Sequence, residues 1–476
     1  MLFNSYTFWI FFGLVALLYR FLDHRRRNHL LLLASYVFYG YWDWRFLGLI
    51  AISTLIDFVA AQRIADAEGH ARRRKAWLMV SISANLGLLG IFKYLGFFVT
   101  EFNTLMERIG LAGPLPGIDL ILPVGISFYT FQTLSYTIDV YRGHTQPARG
   151  LMDFSLYVTF FPQLVAGPIE RSSHLLPQVV NPRKPLDGER FREGLYYVLN
   201  GLFRKVVIAD NMALIANHVF SQPPGELSGW QVMLGVYAFA FQIYGDFSGY
   251  SSIAQGTAKW LGFDLMDNFR NPYFAKSPQE FWQRWHISLS SWLRDYLYIP
   301  LGGNRNGTIL TYRNLTLTML LGGLWHGAAW TFVIWGAIHG LWLAAHRLAT
   351  SGRGRDGKAV RGGKPWALAR MLVTFHIVCL CWLFFRADSA GQAVSMLGQL
   401  SLGGWQWGAL ENGIASLMAL YLAPLLAYEF WCERKGDLLA LTRAHWGWRA
   451  AAYLYILWMI LFFGSPVQQE FIYFRF

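Results

Sequence analysis

Apolar runs recur from one end of this chain to the other, and they decide its class before any motif is read. The candidate spans are Phe3–Tyr19, Leu30–Tyr41 with Phe46–Ala61, Trp77–Val99, Leu120–Ile138, Phe154–Pro168, Leu195–Ala209, Gln231–Tyr244, Leu315–Leu324, Ala328–Ala345, Trp366–Phe385, Ile414–Phe430 and Ala450–Phe463. Several are shorter than the ~20 residues a straight crossing of the bilayer needs, so tilted, re-entrant or bundle-buried helices are expected among them. The predicted class is all-α, a polytopic membrane protein with about ten to twelve transmembrane helices plus re-entrant and amphipathic ones. Composition agrees: 54% of residues are hydrophobic and 14% charged, against about 45–50% and about 25% in soluble domains. The 21 tryptophans suit aromatic belts at the membrane faces.

Charge sets the expected orientation. The first run lacks a basic segment before it, and Arg25, Arg26 and Arg27 follow it, so it reads as a span rather than a cleaved signal. Positive charge after that span places the N-terminus outside and the first loop in the cytoplasm. Arg72–Lys75 and the loop Arg353–Lys364 (Arg353, Arg355, Lys358, Arg361, Lys364) read as cytoplasmic by the same rule. Orientation and contact with anionic lipid of the bilayer account for the net charge of +13. A nucleic-acid role would want a soluble basic face, and none is present. Cys379, Cys381 and Cys432 form neither a disulfide framework nor a C-x-x-C metal or redox pair.

The whole of 1–476 reads as one membrane domain, with N-terminal spans over 1–140, a core over 141–348 and C-terminal spans over 349–476. In the core, short apolar runs alternate with Pro, Gly and charged clusters such as Phe161–Pro168 and Pro182–Pro185. Interrupted backbone is tolerated at membrane depth only where protein buries it or it lines a wet cavity. No internal repeat is evident, which argues against inverted-repeat transporters.

Within the apolar run Leu315–Ala345 lies His326, in Leu324-Trp325-His326-Gly327. An ionisable group at that depth is a functional hypothesis by default, set against the plainer reading of a histidine hydrogen-bonded inside a bundle. A second histidine, His286, stands in Phe281-Trp282-Gln283-Arg284-Trp285-His286-Ile287-Ser288. There Ser277, Pro278 and Glu280 predict a capped helix start. The helix is expected to run on past Trp292 with Phe281, Trp285, Leu289 and Trp292 as one apolar stripe. His286 then flanks that stripe with Trp282 and Ser290 one turn to either side, while Arg284, Arg294 and Asp295 add charge.

Histidine can take and return a proton near working pH. Acyl transfer from a thioester to a hydroxyl needs a base on the hydroxyl and stabilisation of the tetrahedral oxyanion. A neutral His326 in a dry pocket suits the base, with His286 orienting the donor or stabilising the oxyanion, and Gly322, Gly323 and Gly327 are expected to leave room for a substrate chain. Trp285 and Trp325 are expected to line the site. Asp246 is expected either to orient a catalytic group or to pair with a nearby Arg or Lys. Asp57, Lys93 and Asp139 read as bundle-facing pairs or helix-end anchors. Metal is not expected: H-E-x-x-H and C-x-x-C spacings are absent. A G-x-S-x-G elbow and P-loop or G-x-G-x-x-G patterns are absent too. The rival classes are a transporter relaying protons through the two histidines and a scaffold for polysaccharide export.

Longer motifs narrow the choice. Phe281–Ser290, Trp292–Ile299, Leu301–Arg305 and Met319–Ala328 resemble the membrane-bound O-acyltransferase (MBOAT) family, within it the bacterial alginate O-acetyltransferase type. Leu122–Tyr129, Ile138–Gly143, Asn268–Tyr273 and Phe471–Phe474 fit the same family. The resemblance implies many helices around a central tunnel, with His326 at the catalytic histidine and His286 at a second active-site position. It implies acetyl transfer from a cytoplasmic donor, acetyl-CoA or another acyl thioester, with no bound cofactor. The acceptor it implies is an exopolysaccharide hydroxyl, reached directly or through a periplasmic acetyltransferase partner, at the inner membrane. Peptidoglycan O-acylation and D-alanyl transfer to teichoic acid remain open on these motifs.

Overall fold

Helices make up the regular structure throughout, with no strand among the described residues. The computed structural model describes residues 1–476 other than 112, 114, 119, 166, 352–362, 403, 468, 475 and 476. The basic run from Arg353 to Arg361 therefore lies outside the described residues. Five helical stretches are long and apolar enough to cross a membrane by length and composition: His24–Asp66, Ala71–Arg108, Lys364–Arg386, Ala409–Lys435 and Trp446–Phe463. On the last of these Leu454, Leu461 and Phe462 are exposed, as lipid-facing side chains would be. The chain is a multi-pass membrane protein.

Packing divides the chain into two units, Met1–Val198 with Ile253–Met266, and Leu199–Ser252 with Asp267–Phe476. In the first, α1 (Leu47–Asp66), α2 (Ala71–Leu89) and α3 (Ile126–Arg142) pack on one another. The sequence placed the α3 span from Leu120, but helix begins only after Gly125, whose φ of 76° sets the start. The run Phe154–Pro168 is likewise broken, into Leu151–Thr159 and Phe161–Leu164 around Phe160, whose ψ of 109° leaves the helical range. Pro162, which has no N–H to give to a continuing helix, follows that break. Between α1, α2 and α3, Asp57 accepts from Ser81, from Asn85 Nδ2 at 2.8 Å and from Thr137 at 3.4 Å. Asp57 is thus held by neutral donors rather than in an ion pair. Lys93 Nζ donates to Ser127 at 3.4 Å, and Asp139 sits 3.7 Å from His144 near the end of α3.

The second unit holds α4 (Gly229–Trp260) as far as Ser252, α5 (Pro278–Arg284), α6 (Ile287–Leu293), α7 (Thr308–His326), α8 (Trp330–Ser351) and α9 (Lys364–Arg386). Its core gathers Phe239, Phe241, Trp285, Trp335, Trp382 and Phe385. Ser277 caps α5 as expected, accepting from the Glu280 N–H at 3.1 Å, and Glu280 reaches back to the N–H of Lys276 at 2.8 Å.

The single helix expected through His286 does not form. Trp285 is extended (φ −100°, ψ 127°) and His286 is left-handed (φ 43°, ψ 55°), so α5 and α6 are separate helices. The stripe Phe281–Trp285–Leu289–Trp292 is therefore not one helical face.

α7 and α8 form an antiparallel hairpin whose backbones touch. A Cβ on Gly323 would strike the Phe332 carbonyl, one on Gly336 the Met319 carbonyl, and one on Gly340 the Thr316 Cα. Helices in lipid associate through such close packing of small residues. The expectation that Gly323 and Gly327 leave room for substrate is corrected here. Carbonyl and ring atoms of Phe332 occupy those spaces, and Leu293 stands 3.1 Å from the Cβ position of Gly322.

Candidate active site

The hairpin puts His326 at its tip, as the last residue of α7, where it is almost wholly buried. Its ring meets Trp325 at 5.0 Å, Trp335 at 5.1 Å, Phe385 at 5.3 Å and Tyr473 at 5.7 Å between centroids. His286 is fully buried at the α5–α6 break. Trp325 at 6.2 Å and Tyr473 at 6.4 Å are its neighbours too. The two imidazoles thus share two aromatic neighbours, although they come from separate elements.

The left-handed turn at His286 is held from the segment before α5. The Asn268 carbonyl accepts from Ile287 N–H at 2.9 Å, and Asn268 Oδ1 accepts from Ser288 N–H at 3.2 Å and Ser288 Oγ at 2.9 Å. A left-handed non-glycine residue is uncommon and persists where the surroundings fix it. Asn268 Oδ1 also lies 3.1 Å from His286 Nδ1. Because the Ser288 N–H can only donate, the oxygen of Asn268 must face it, and His286 Nδ1 must therefore donate as well. The ring lone pair is then on Nε2. Burial pushes the His286 imidazole down to about 3, so it is neutral.

The remaining predicted residues divide. Trp325 lies between the histidines, as described. Trp285 is buried beside Phe269, Phe281 and Trp382 rather than against either imidazole ring. Arg284 pairs with Glu280 at 2.8 Å and Glu433 at 2.7 Å. Arg294 is exposed and pairs with Asp295, and Ser290 donates to the Ile287 carbonyl at 3.2 Å. Asp246 pairs with Lys205 at 2.8 Å, which also pairs with Asp210 at 2.8 Å.

Asp246 does one thing more. Its Oδ2 accepts the Ile472 N–H at 2.7 Å, while Lys205 donates to the Gln469 carbonyl at 2.9 Å. These bonds tie down the segment that brings Tyr473 to the histidines. Sequence reasoning missed Tyr473, Asn268 and Trp335. It also passed over His339, which lies in the same apolar run as His326 and carries the same signal.

The signature of the MBOAT, membrane-bound O-acyltransferase family, matches residues 148–354, which include both histidines. A probable alginate O-acetylase of Pseudomonas putida is 44% identical over 90% of this chain and 85% of its own length. The chain belongs to the membrane-bound O-acyltransferase family. It is an acyltransferase, of the type similar to the alginate O-acetylases. A peptidoglycan O-acetyltransferase of Helicobacter pylori is 34% identical over 94% of this chain and 91% of its own. A teichoic acid D-alanyltransferase of Streptococcus thermophilus is 26% identical over 55% of this chain and 68% of its own.

Proposed function

We propose that this O-acyltransferase moves an acetyl group from a cytoplasmic thioester, acetyl-CoA or another acyl thioester, for O-acetylation of an extracytoplasmic polysaccharide. The names of the Pseudomonas and Helicobacter relatives support acetyl as the group; the Pseudomonas name supports alginate or a similar exopolysaccharide as the class of acceptor, whereas the Helicobacter name points to peptidoglycan. Transfer is either direct or completed by a periplasmic acetyltransferase within an exopolysaccharide complex. The inner membrane is the proposed site, with the N-terminus on the periplasmic side, as the distribution of arginine supports.

The observation that carries the reading is the pair of buried imidazoles sharing Trp325 and Tyr473. In the proposed reaction a His326 nitrogen accepts the proton of the acceptor hydroxyl as its oxygen attacks the thioester carbonyl. The tetrahedral intermediate collapses, the C–S bond breaks, and His326 returns the proton to the leaving thiolate. His286, donating from Nδ1 to Asn268, offers a lone pair at Nε2 and so suits holding a hydroxyl or amide N–H. That tautomer suits orienting a substrate better than stabilising an oxyanion, which needs a donor.

The test is mass analysis of extracellular polymer from cells carrying the unsubstituted chain, His326→Ala or neither. Loss of polymer O-acetyl groups with His326→Ala, at unchanged membrane protein level, is expected. Near-normal acetylation would overturn the assignment of His326, and an acetyl group trapped on a histidine or cysteine would overturn transfer without an acyl-enzyme.

A further inference from the structure

Among the described residues, two that are not glycine hold left-handed backbone: His286, with φ 43°, and Asn271, with φ 45°. Such backbone is uncommon without glycine and persists where the surroundings fix it. The two belong to one construction. The Ile287 N–H donates to the Asn268 carbonyl at 2.9 Å, and the Arg270 N–H donates to the Arg284 carbonyl at 3.0 Å. Segments 268–271 and 284–287 therefore run antiparallel, with α5 in the connection between them.

Asn268 holds the end at His286. The other end is held from a distant helix, α10 (Ala409–Lys435). Its Glu433 accepts at one atom, Oε1, from Arg284 Nη1 at 2.7 Å and from Asn271 Nδ2 at 3.1 Å. A single side chain thus fastens the two segments together. Arg284 is fixed from its other side as well, since Nη2 donates to Glu280 at 2.8 Å. Guanidinium nitrogens lie in one rigid plane, so two carboxylates on that fork set its orientation.

As a stabiliser of the fold the contact is a poor one. The side chains of Arg284 and Glu433 are 20% and 28% exposed, and an ion pair open to solvent contributes little. Its geometry fits another purpose. Only Trp285 and His286 lie between Arg284 and Ile287, so a shift at Arg284 reaches the imidazole with little chain to absorb it. We propose that Glu433 is a positioning residue for His286: by tying Asn271 to Arg284 it keeps the two segments in register and the imidazole beside Trp325. This role rests on the acyl-transfer reading above, in which His286 orients a substrate, and Glu433 itself touches none of the reacting atoms.

The experiment combines hydrogen exchange of the purified full-length chain in nanodiscs with the rate of polymer O-acetylation in cells at matched membrane protein level. Glu433→Ala should speed exchange over 268–288 about tenfold or more, as local opening loses its restraint. It should lower acetylation about tenfold through misplacement of His286, with exchange in α7 and α8 and the unfolding midpoint unchanged. Glu433→Gln, whose amide oxygen still accepts both bonds, should restore most of each. His286→Gln supplies the decisive background. A residue that acts through His286 has nothing left to lose there, so Glu433→Ala should add no further loss to the residual rate. Unchanged exchange over 268–288, equal impairment by Glu433→Gln, or a full additional loss in the His286→Gln background would overturn the assignment of Glu433. So would a lowered midpoint or loss of folding in Glu433→Ala, which would make Glu433 a structural group. Normal acetylation by His326→Ala would sink the acyl-transfer reading, whereas exchange needs no turnover and judges Glu433 separately.

Discussion

The Asp57 carboxylate of the first unit takes hydrogen bonds from Ser81, Asn85 and Thr137, whereas the equally buried His339 imidazole of the second takes none from any described residue. Asn85 is itself completed by Ser53 at 2.8 Å and Thr133 at 3.4 Å, so the polarity around Asp57 closes on itself. Closed networks rigidify a bundle, and partly open ones cost stability unless something binds them. The contrast separates a buried polar group whose hydrogen bonds close among its neighbours from one whose ring nitrogens bond no described residue, and it gives structural and catalytic groups separate experimental signatures.

The largest expected effect belongs to the proposed base. His326→Ala should cut polymer acetylation by about 10²–10⁴-fold, the usual worth of a general base, while the thermal midpoint stays near its original value. A large loss of stability would place His326 with Asp57 among the structural groups. Asp57→Ala should behave in the opposite way. It strands several buried donors at about 1–3 kcal/mol each, so the yield of folded protein should fall while turnover per folded molecule holds. Gly336→Val tests the hairpin that carries His326. Its side chain meets the Met319 carbonyl, and a loss of about 1–3 kcal/mol is expected from overpacking, read as a lower unfolding midpoint with reduced turnover. Asn268→Ala lies between the two kinds. It should lower turnover about tenfold, near 1.4 kcal/mol in barrier, because the left-handed turn at His286 loses its acceptor.

The smallest expected effect is a pH dependence. The Glu170 carboxylate, 2.6 Å away, raises the pKa of His174 against the opposing pull of its partial burial. A raised histidine stabilises fully below its unfolded value and loses that contribution as pH rises through its folded value. His174 is partly exposed, so the contribution should stay under ~1 kcal/mol, and His174→Gln should flatten the alkaline side of the midpoint–pH curve.

How much of this was legible in the sequence follows the range of the interactions. The spans were readable because hydrophobic runs of helical length are a local property, and His326 because a titratable group stands out against such a run. The break at Trp285–His286 was not. The residues there are compatible with helix, and what turns the chain is Asn268, beyond the start of α5. The glycines around the end of α7 were read as space for substrate, because sequence does not show that Leu293, Phe332 and Gly336 would come to fill it. Tyr473 reaches the histidines only through the bonds of its segment to Asp246 and Lys205, so no local pattern announces it. His339 needed nothing remote; the argument that singled out His326 applied equally to it.

The main-chain contact between α7 and α8 bears on how the enzyme moves. With the backbone at Gly323, Gly336 and Gly340 resting on backbone, neither helix can slide a fraction of a turn past the other without a carbonyl meeting a Cα. The hairpin is then a rigid lever that presents His326 at one fixed height. Hydrogen exchange should find the hairpin amides among the slowest in the molecule.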